Sequence, residues 1–263
     1  MRYIILFLLL ILFCGCGDNN TNSITLNHKG IGSGAYHHKS DSPNIIYTIK
    51  EKPATIYKLK LSHDKYKVLE TITIKQSNTI DAEALVKLSN GTFWIGDEKK
   101  PSLIHVDKDG TILKRVISKK WNKAKKNRGF ESLAISKDEN FLYTILQSPQ
   151  KGRSKTLTIF KYDIKKDKLT KSRKYKLDNK KNYINEMVYI KKDTLVLLEN
   201  QKDGYIFYKI NLKEKSNKKA VFHFNRLKKI EGMAYLGDNK WILINDDDSQ
   251  RDGLKGAMTR VSF

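Results

Sequence analysis

The sequence predicts an all-β fold, a β-propeller of four-stranded blades closed into a ring by its N- and C-terminal strands. Three observations carry that expectation. Beyond residue 27 hardly any stretch shows the apolar period of a helix, whereas short β-branched and aromatic runs recur between turns such as Ser89-Asn90-Gly91, Asp109-Gly110 and Asp203-Gly204. Aligned on itself, the chain repeats at a period in the range of propeller blades. An acidic residue returns at one point of the repeat, which two stacked sheets would not predict.

The repeat units start near Ser33, Glu83, Glu131, Glu186 and Glu231. Each opens with a short strand, turns at a polar or glycine-containing spot, and enters a more apolar strand that ends in polar residues. Unit two reads EALVKL, SNGT, FWIGDE; unit three reads ESLAIS, KDEN, FLYTILQ. Unit four reads EMVYI, KKD, TLVLLEN, and unit five EGMAYL, GDNK, WILINDDD. Unit one, SGAYHH, KSDSP, NIIYTIKE, is the degenerate member. Third and fourth strands follow in most units, for example SLIHVD and TILKRVI after unit two, which makes each unit a blade. Unit five runs out after AMTRVSF, one strand short, and Ser23 to Asn27 supplies the missing strand, which removes an exposed edge. The count is five blades, or six if two units have been merged.

Ahead of the repeat, Met1 and Arg2 precede an unbroken apolar stretch from Tyr3 to Phe13, the length of a signal-peptide core. A bilayer span needs about 20 apolar residues, so this stretch is too short for one. It closes on Cys14, Gly15 and Cys16, which resembles the lipobox of bacterial lipoproteins, with Gly15 and Cys16 fitting well and Leu12 and Phe13 loosely. The expected organisation is a lipoprotein signal peptide over residues 1–15, a lipidated Cys16 with a polar tether to residue 27, and the propeller over 28–263. That implies a membrane partner through the lipid and a place in the bacterial cell envelope, outside the cytoplasm. Both cysteines of the chain lie in this leader, so the exported domain has neither a disulfide nor a thiol nucleophile.

With 51 Lys+Arg against 28 Asp+Glu, the net charge of +23 raises the question of an anionic partner. The lysines are scattered in pairs at turns and strand ends, for example Lys165-Lys166 and Lys180-Lys181, with no stripe and no nucleic-acid motif. A solvated basic surface is expected rather than nucleic-acid binding, and a monomer rather than an oligomer.

In a propeller the first strand of each blade lines the central channel, so Glu83, Glu131, Glu186 and Glu231, with Ser33 in unit one, are expected to form a ring. The antiparallel second strand returns to the same level. Its ends carry Glu51, Asp97 and Glu98, Gln147, Glu199, and Asn245 with Asp246. So many carboxylates gathered at one mouth raise one another's pKa unless a cation compensates them. Calcium takes oxygen ligands in flexible geometry, and nothing here favours zinc, which makes calcium the expected cofactor. The alternative is that each glutamate caps backbone groups or pairs with Arg128 or a lysine to hold blades together.

The strings DAEAL, FWIGDE, NRGFESLAIS, LQSP, LVLLEN, IEGMA and INDDD, in this order from about Gly30 to Asp248, resemble the phytase-like family, "esterase-like activity of phytase". The resemblance implies a β-propeller and phosphoester or ester hydrolysis helped by calcium. It carries Glu83, Asp97, Glu98, Glu131, Glu186, Glu199, Glu231 and Asp246 as acidic metal positions and Arg128 as the arginine of NRGFE. The chain departs from the family in its short length, its Ser33 and its lack of long insertions between blades.

As an enzyme, the protein would use calcium to neutralise a phosphoryl oxygen while water attacks. Glu83, Glu131, Glu186 and Glu231 are the candidate base and ligands, and Arg128, Lys99 and Lys100 the phosphate clamp. The ligand would be a phosphorylated small molecule. A non-catalytic propeller, stabilised by calcium and recognising a ligand or an envelope protein, is the alternative. Serine catalysis ranks below both, because no GxSxG elbow occurs and His37 and His38 read as surface or turn residues.

Overall fold

The computed structural model describes residues 23–28, 30–121, 124–149, 155–214, 218–246 and 255–263. The signal segment, Cys16 and the first part of the tether lie outside them. The first blade contains β2 (Ala35–Tyr36), β3 (Ile45–Lys50), β4 (Thr55–Leu61) and β5 (Tyr66–Thr73). The second contains β6 (Ala82–Lys87), β7 (Phe93–Asp97), β8 (Ser102–Val106) and β9 (Ile112–Val116). Blade three is β10 (Leu133–Ile135), β11 (Phe141–Ile145), β12 (Thr156–Asp163) and β13 (Lys168–Lys176). Blade four is β14 (Tyr183–Lys191), β15 (Thr194–Gln201), β16 (Gly204–Asn211) and β17 (Lys219–Phe224). Blade five joins β18 (Ile230–Gly237), β19 (Lys240–Asn245) and β20 (Ala257–Ser262) to β1 (Ser23–Thr25). The ring therefore has five blades, and the count of six falls.

Closure occurs as expected. β1 pairs antiparallel with β20, Ile24 opposite Met258, and the Ile24 side chain is buried there.

Burial grades outward along every blade. β7 is buried at all five positions, as a strand covered on both faces must be, whereas β9 and β13 on the rim are largely half-buried or exposed. The rim strands carry many of the lysines, four of them in β13 alone, and β-bulges interrupt the pairing of the third and fourth strands in blades one to four. Charge and bulges both discourage pairing with another chain, which gives the excess of lysine a structural role.

Packing lies between blades. Five apolar clusters fill the five blade interfaces. Among them are Ile49 and Ile56 of blade one against Ile95 and Ile104 of blade two, and Ile24, Met258 and Ile244 of blade five against Ile46 and Leu59 of blade one. Each cluster buries apolar area at roughly 25 cal/mol per Å². Around the axis the inner strands run β2, β6, β10, β14, β18 and back to β2.

Candidate functional site

Strand register defines what faces the channel mouth. In blades two, four and five a bulge interrupts the inner pair at Glu83, Asn185 and Glu231, between pairs such as Ala82 with Asp97 and Ala84 with Gly96. In blades one and three, the hydroxyls of Thr48 and Thr144 donate to the carbonyls of Gly34 and Ser132, which aligns Ser33 with Glu131. The inner ring is therefore Ser33, Glu83, Glu131, Asn185 and Glu231. The residues at the ends of the second strands, aligned by the same register, make a second ring of Glu51, Glu98, Gln147, Asn200 and Asp246.

This corrects one expected member. Glu186 is not at the ring position; the bulge at Asn185 moves it one residue along, to the position held elsewhere by Gly34, Ala84, Ser132 and Gly232. Those residues are small because the axis is crowded: a Cβ on Gly232 would stand 2.9 Å from the Cβ of Ala35. The Glu186 carboxylate fills the space they leave. It accepts from the backbone N–H of Met187 at 2.9 Å, and the backbone amides of Ala35, Leu133 and Met233 also favour its charged form, so groups from four blades act on it. Burial raises its pKa well above the ordinary 4.5, and the four amides act against that rise. Glu186 is the plug of the channel.

Asp97 and Glu199 also differ from their expected role. Both side chains are fully buried, and both are surrounded by donors. Glu199 accepts from Tyr175 Oη at 2.7 Å, Asp178 N at 2.9 Å, Asn182 Nδ2 at 2.7 Å and Lys218 Nζ at 2.7 Å. Asp97 pairs with Arg115 at 3.1 Å and accepts from the backbone of Asp81 and Lys100. Their partners lie within their own blades or at the preceding blade junction, and their oxygens are committed to holding structure.

Glu83 and Glu131 face mainly other carboxylates. Glu83 is buried, and its pKa is raised well above 4.5 by burial first and then by Glu51, Glu231, Glu131 and Glu98. Glu131 is only 8% exposed, yet among the described residues its Oε2 has no hydrogen-bond partner. Burial, then the charges of Glu231 and Glu98, raise its pKa well above 4.5. Burial also raises Glu98, while a hydrogen bond with the Glu131 carboxyl lowers it.

Arg128 lies beside this pair. Its Nη1 donates to Gln147 Oε1, and its guanidinium stacks over the Tyr183 ring at 5.0 Å, which fixes it at the edge of Glu98 and Glu131. The local sequence explains the placement. Asn127 takes a left-handed turn at φ 49°, and Gly129 lets the chain press on blade two, where a Cβ would come within 2.0 Å of the Glu98 carbonyl oxygen. Lys99 and Lys100 are exposed, just beyond Glu98.

Glu51, Asp81 and Glu83 each offer one oxygen, all within 4.8 Å of one another. Calcium binds oxygen at about 2.3–2.6 Å, so one ion can bridge oxygens that far apart. Of these three, the repeat pattern places Glu83 and Glu51 at the mouth and leaves out Asp81. Asp81 was legible as the residue two before the ring position, which returns to the same side of an extended strand. Lys52 Nζ sits 2.5 Å from Asp81 and 3.6 Å from Glu51, on a side chain that is more than half exposed. The all-oxygen donors and the orphan oxygen of Glu131 fit a hard divalent cation.

The opposite mouth is built differently. His38, expected as a surface or turn residue, is 1% exposed. Its Nε2 lies 3.2 Å from Glu139 Oε1, which also accepts from Ser89 Oγ at 2.6 Å and lies 3.1 Å from Lys39 Nζ, so blades one, two and three are stapled together. His38 Nδ1 meets Ser40 Oγ at 2.7 Å and Ser40 N at 3.3 Å, the geometry of a local turn cap rather than of an activated nucleophile.

The fold and site thus define a five-bladed propeller with an acidic mouth and a plugged channel. The family model described as "Phytase-like: Esterase-like activity of phytase" matches residues 33–249, and the chain belongs to that family. Among solved structures, the nidogen–laminin complex is similar with a TM-score of 0.54 at 11% identity, over 82% of this chain and 72% of that one. A luciferin-regenerating enzyme gives 0.51 at 13% identity, over 92% and 95%. A calcium-binding protein, regucalcin, from Agrobacterium tumefaciens str. C58 gives 0.50 at 11% identity, over 89% and 90%. These likenesses show the fold alone. No curated protein matches the sequence.

Proposed function

We propose that the acidic mouth holds calcium and that the protein is a calcium-dependent phosphoester hydrolase, anchored outside the cytoplasm by lipid on Cys16. The observation that carries this reading is Glu131, a buried carboxylate with an orphan oxygen beside a fixed guanidinium. A mouth of this kind offers anions for a cation and a cation for a phosphate within one small volume.

Glu51, Asp81 and Glu83 would hold the ion, with Glu131 and Glu231 next to them. Once bound, calcium would supply positive charge for a phosphoryl oxygen. Arg128 has guanidinium donors beyond the one on Gln147 and orients the phosphate through them. One carboxylate of the neighbouring Glu98 and Glu131 takes a proton from the attacking water and returns it to the leaving oxygen as the P–O bond breaks. Lys99 and Lys100 draw an anionic substrate toward the mouth.

Turnover of a phosphomonoester by the purified protein, dependent on calcium and lost in chelator and in Glu131→Gln, supports the reading. Saturable calcium binding without hydrolysis of phosphoesters or carboxyl esters leaves the second reading, a calcium-stabilised binding propeller. That alternative draws on Arg128 already being bonded to Gln147 and stacked on Tyr183. Palmitate labelling that disappears in Cys16→Ser tests the anchor; unlabelled wild type rejects it.

A further inference from the structure

On the far side of Glu186 the channel opens into a chamber of about 320 Å³ that the acidic mouth does not share. Its floor is Ala35, Leu133, Met187 and Met233, the residues whose amides favour the charged form of Glu186. Its walls are the later residues of four inner strands, among them Tyr36, Val188, Ile190, Tyr235 and Leu236, which are only half-buried. Apolar side chains left partly open around a concave space mark a ligand site more often than an accident of packing.

Charge distinguishes the two ends of the chamber. Lys39, Lys137 and Lys191 stand at its rim, against one carboxylate, Glu139, which is tied to Ser89, His38 and Lys39. The floor is apolar, made by Ala35, Leu133, Met187 and Met233. An anion is therefore attracted at the rim and gains nothing at the floor, so a ligand with an apolar tail and an anionic head would enter tail first. The volume lies at the small end of ligand pockets, about 300–1,000 Å³, which suits one acyl chain rather than two.

We propose that this chamber binds a single-chain fatty acid, its tail along the inner strands and its carboxylate at the rim lysines. Lys137 and Lys191, both exposed, take the head group, and Val188 and Leu236 contact the tail. The proposal does not depend on the acidic mouth or on hydrolysis.

Calorimetric titration of the purified protein with octanoate, decanoate and decanol tests it. Decanoate should bind at one site per chain, about fourfold more tightly for each methylene added from octanoate, the factor that corresponds to about 0.8 kcal/mol per buried CH₂. Decanol should bind at least tenfold more weakly. The double variant Lys137→Glu, Lys191→Glu should lose the preference for decanoate, and Val188→Trp, which fills the chamber, should lose both ligands. If Val188→Trp does not fold, the rim variant and the chain-length series carry the test alone. Absence of saturable decanoate binding overturns the site, as does a folded Val188→Trp that binds like wild type. Equal binding of decanol and decanoate, or an unchanged preference in the rim variant, overturns the anionic head group.

Discussion

Glu131 and Glu139 sit eight residues apart on the same blade, at opposite ends of the channel. At the far mouth Glu139 accepts from Ser89 N at 2.8 Å and from Ser89 Oγ and meets His38 and Lys39, and these partners pull its pKa down to about 2 in spite of burial. At the acidic mouth Glu131 has an oxygen that no donor among the described residues reaches, and its pKa is pushed up. Burial alone does not mark a functional carboxylate; the supply of donors around it does. Glu199, with four donors, belongs with Glu139. A carboxylate without donors is costly to bury, and a cation removes that cost.

The wall between the two mouths is the place for the largest effect. Glu186→Ala takes the acceptor from the Met187 amide and empties the space between four blades, and an unsatisfied buried group costs about 1–3 kcal/mol, so the loss should reach about 3 kcal/mol. Glu186→Gln keeps an acceptor and should lose less than half as much. Urea unfolding measures both. Equal, small losses would mean that water replaces the carboxylate freely and that the axis is no barrier.

Calcium gives the next effect in size. At about one hundred times its Kd, a ligand that binds only the folded state adds about 2.7 kcal/mol, read as a rise in Tm. Glu83→Gln should abolish the rise, whereas Glu139→Ala should leave it intact while lowering the calcium-free stability by about 2 kcal/mol. Lys52→Met should strengthen calcium binding, because the Lys52 ammonium competes at Asp81 and Glu51. A calcium response that survives Glu83→Gln would move the site away from this mouth.

What the sequence made legible follows from periodicity. The repeat, the five units and the closing strand at Ser23 all rest on alternation and turns, which local sequence records. The ring was legible where the glutamate itself forms the bulge, as at Glu83 and Glu231, and misread at Glu186, because Asn185 takes the bulge and nothing in NEMVYI announces it. Asp97 and Glu199 read like mouth residues for a related reason. They end their strands on schedule, but Arg115 and Lys218, which bind them, come from later in their blades. His38 does cap a turn, and only its burial was hidden, because its other partner is 101 residues away. Partners across a blade junction leave no local signature.

The smallest effect is a pH dependence of opposite sign at the two mouths. Burial, the first cause, lowers the His38 pKa from 6.5, so the fold favours its neutral form; the stability it contributes is present above pH 6.5 and falls as acid is added. Glu139, held at about 2 against an ordinary 4.5, contributes stability above pH 4.5 that is lost as the pH drops toward 2. Glu83 and Glu131 run the other way. Their raised values mean that stability is fully present below pH 4.5 and is lost as the pH rises through their folded pKa. Calcium-free protein should therefore melt highest at an intermediate pH. Each tenfold difference in proton affinity between the folded and unfolded chain is worth about 1.4 kcal/mol. Melting curves from pH 4 to 8 should show His38→Asn flattening the acid side alone and Glu83→Gln the alkaline side alone. If either variant flattens both sides, the mouths are coupled through the axis, and Glu186 does not insulate them.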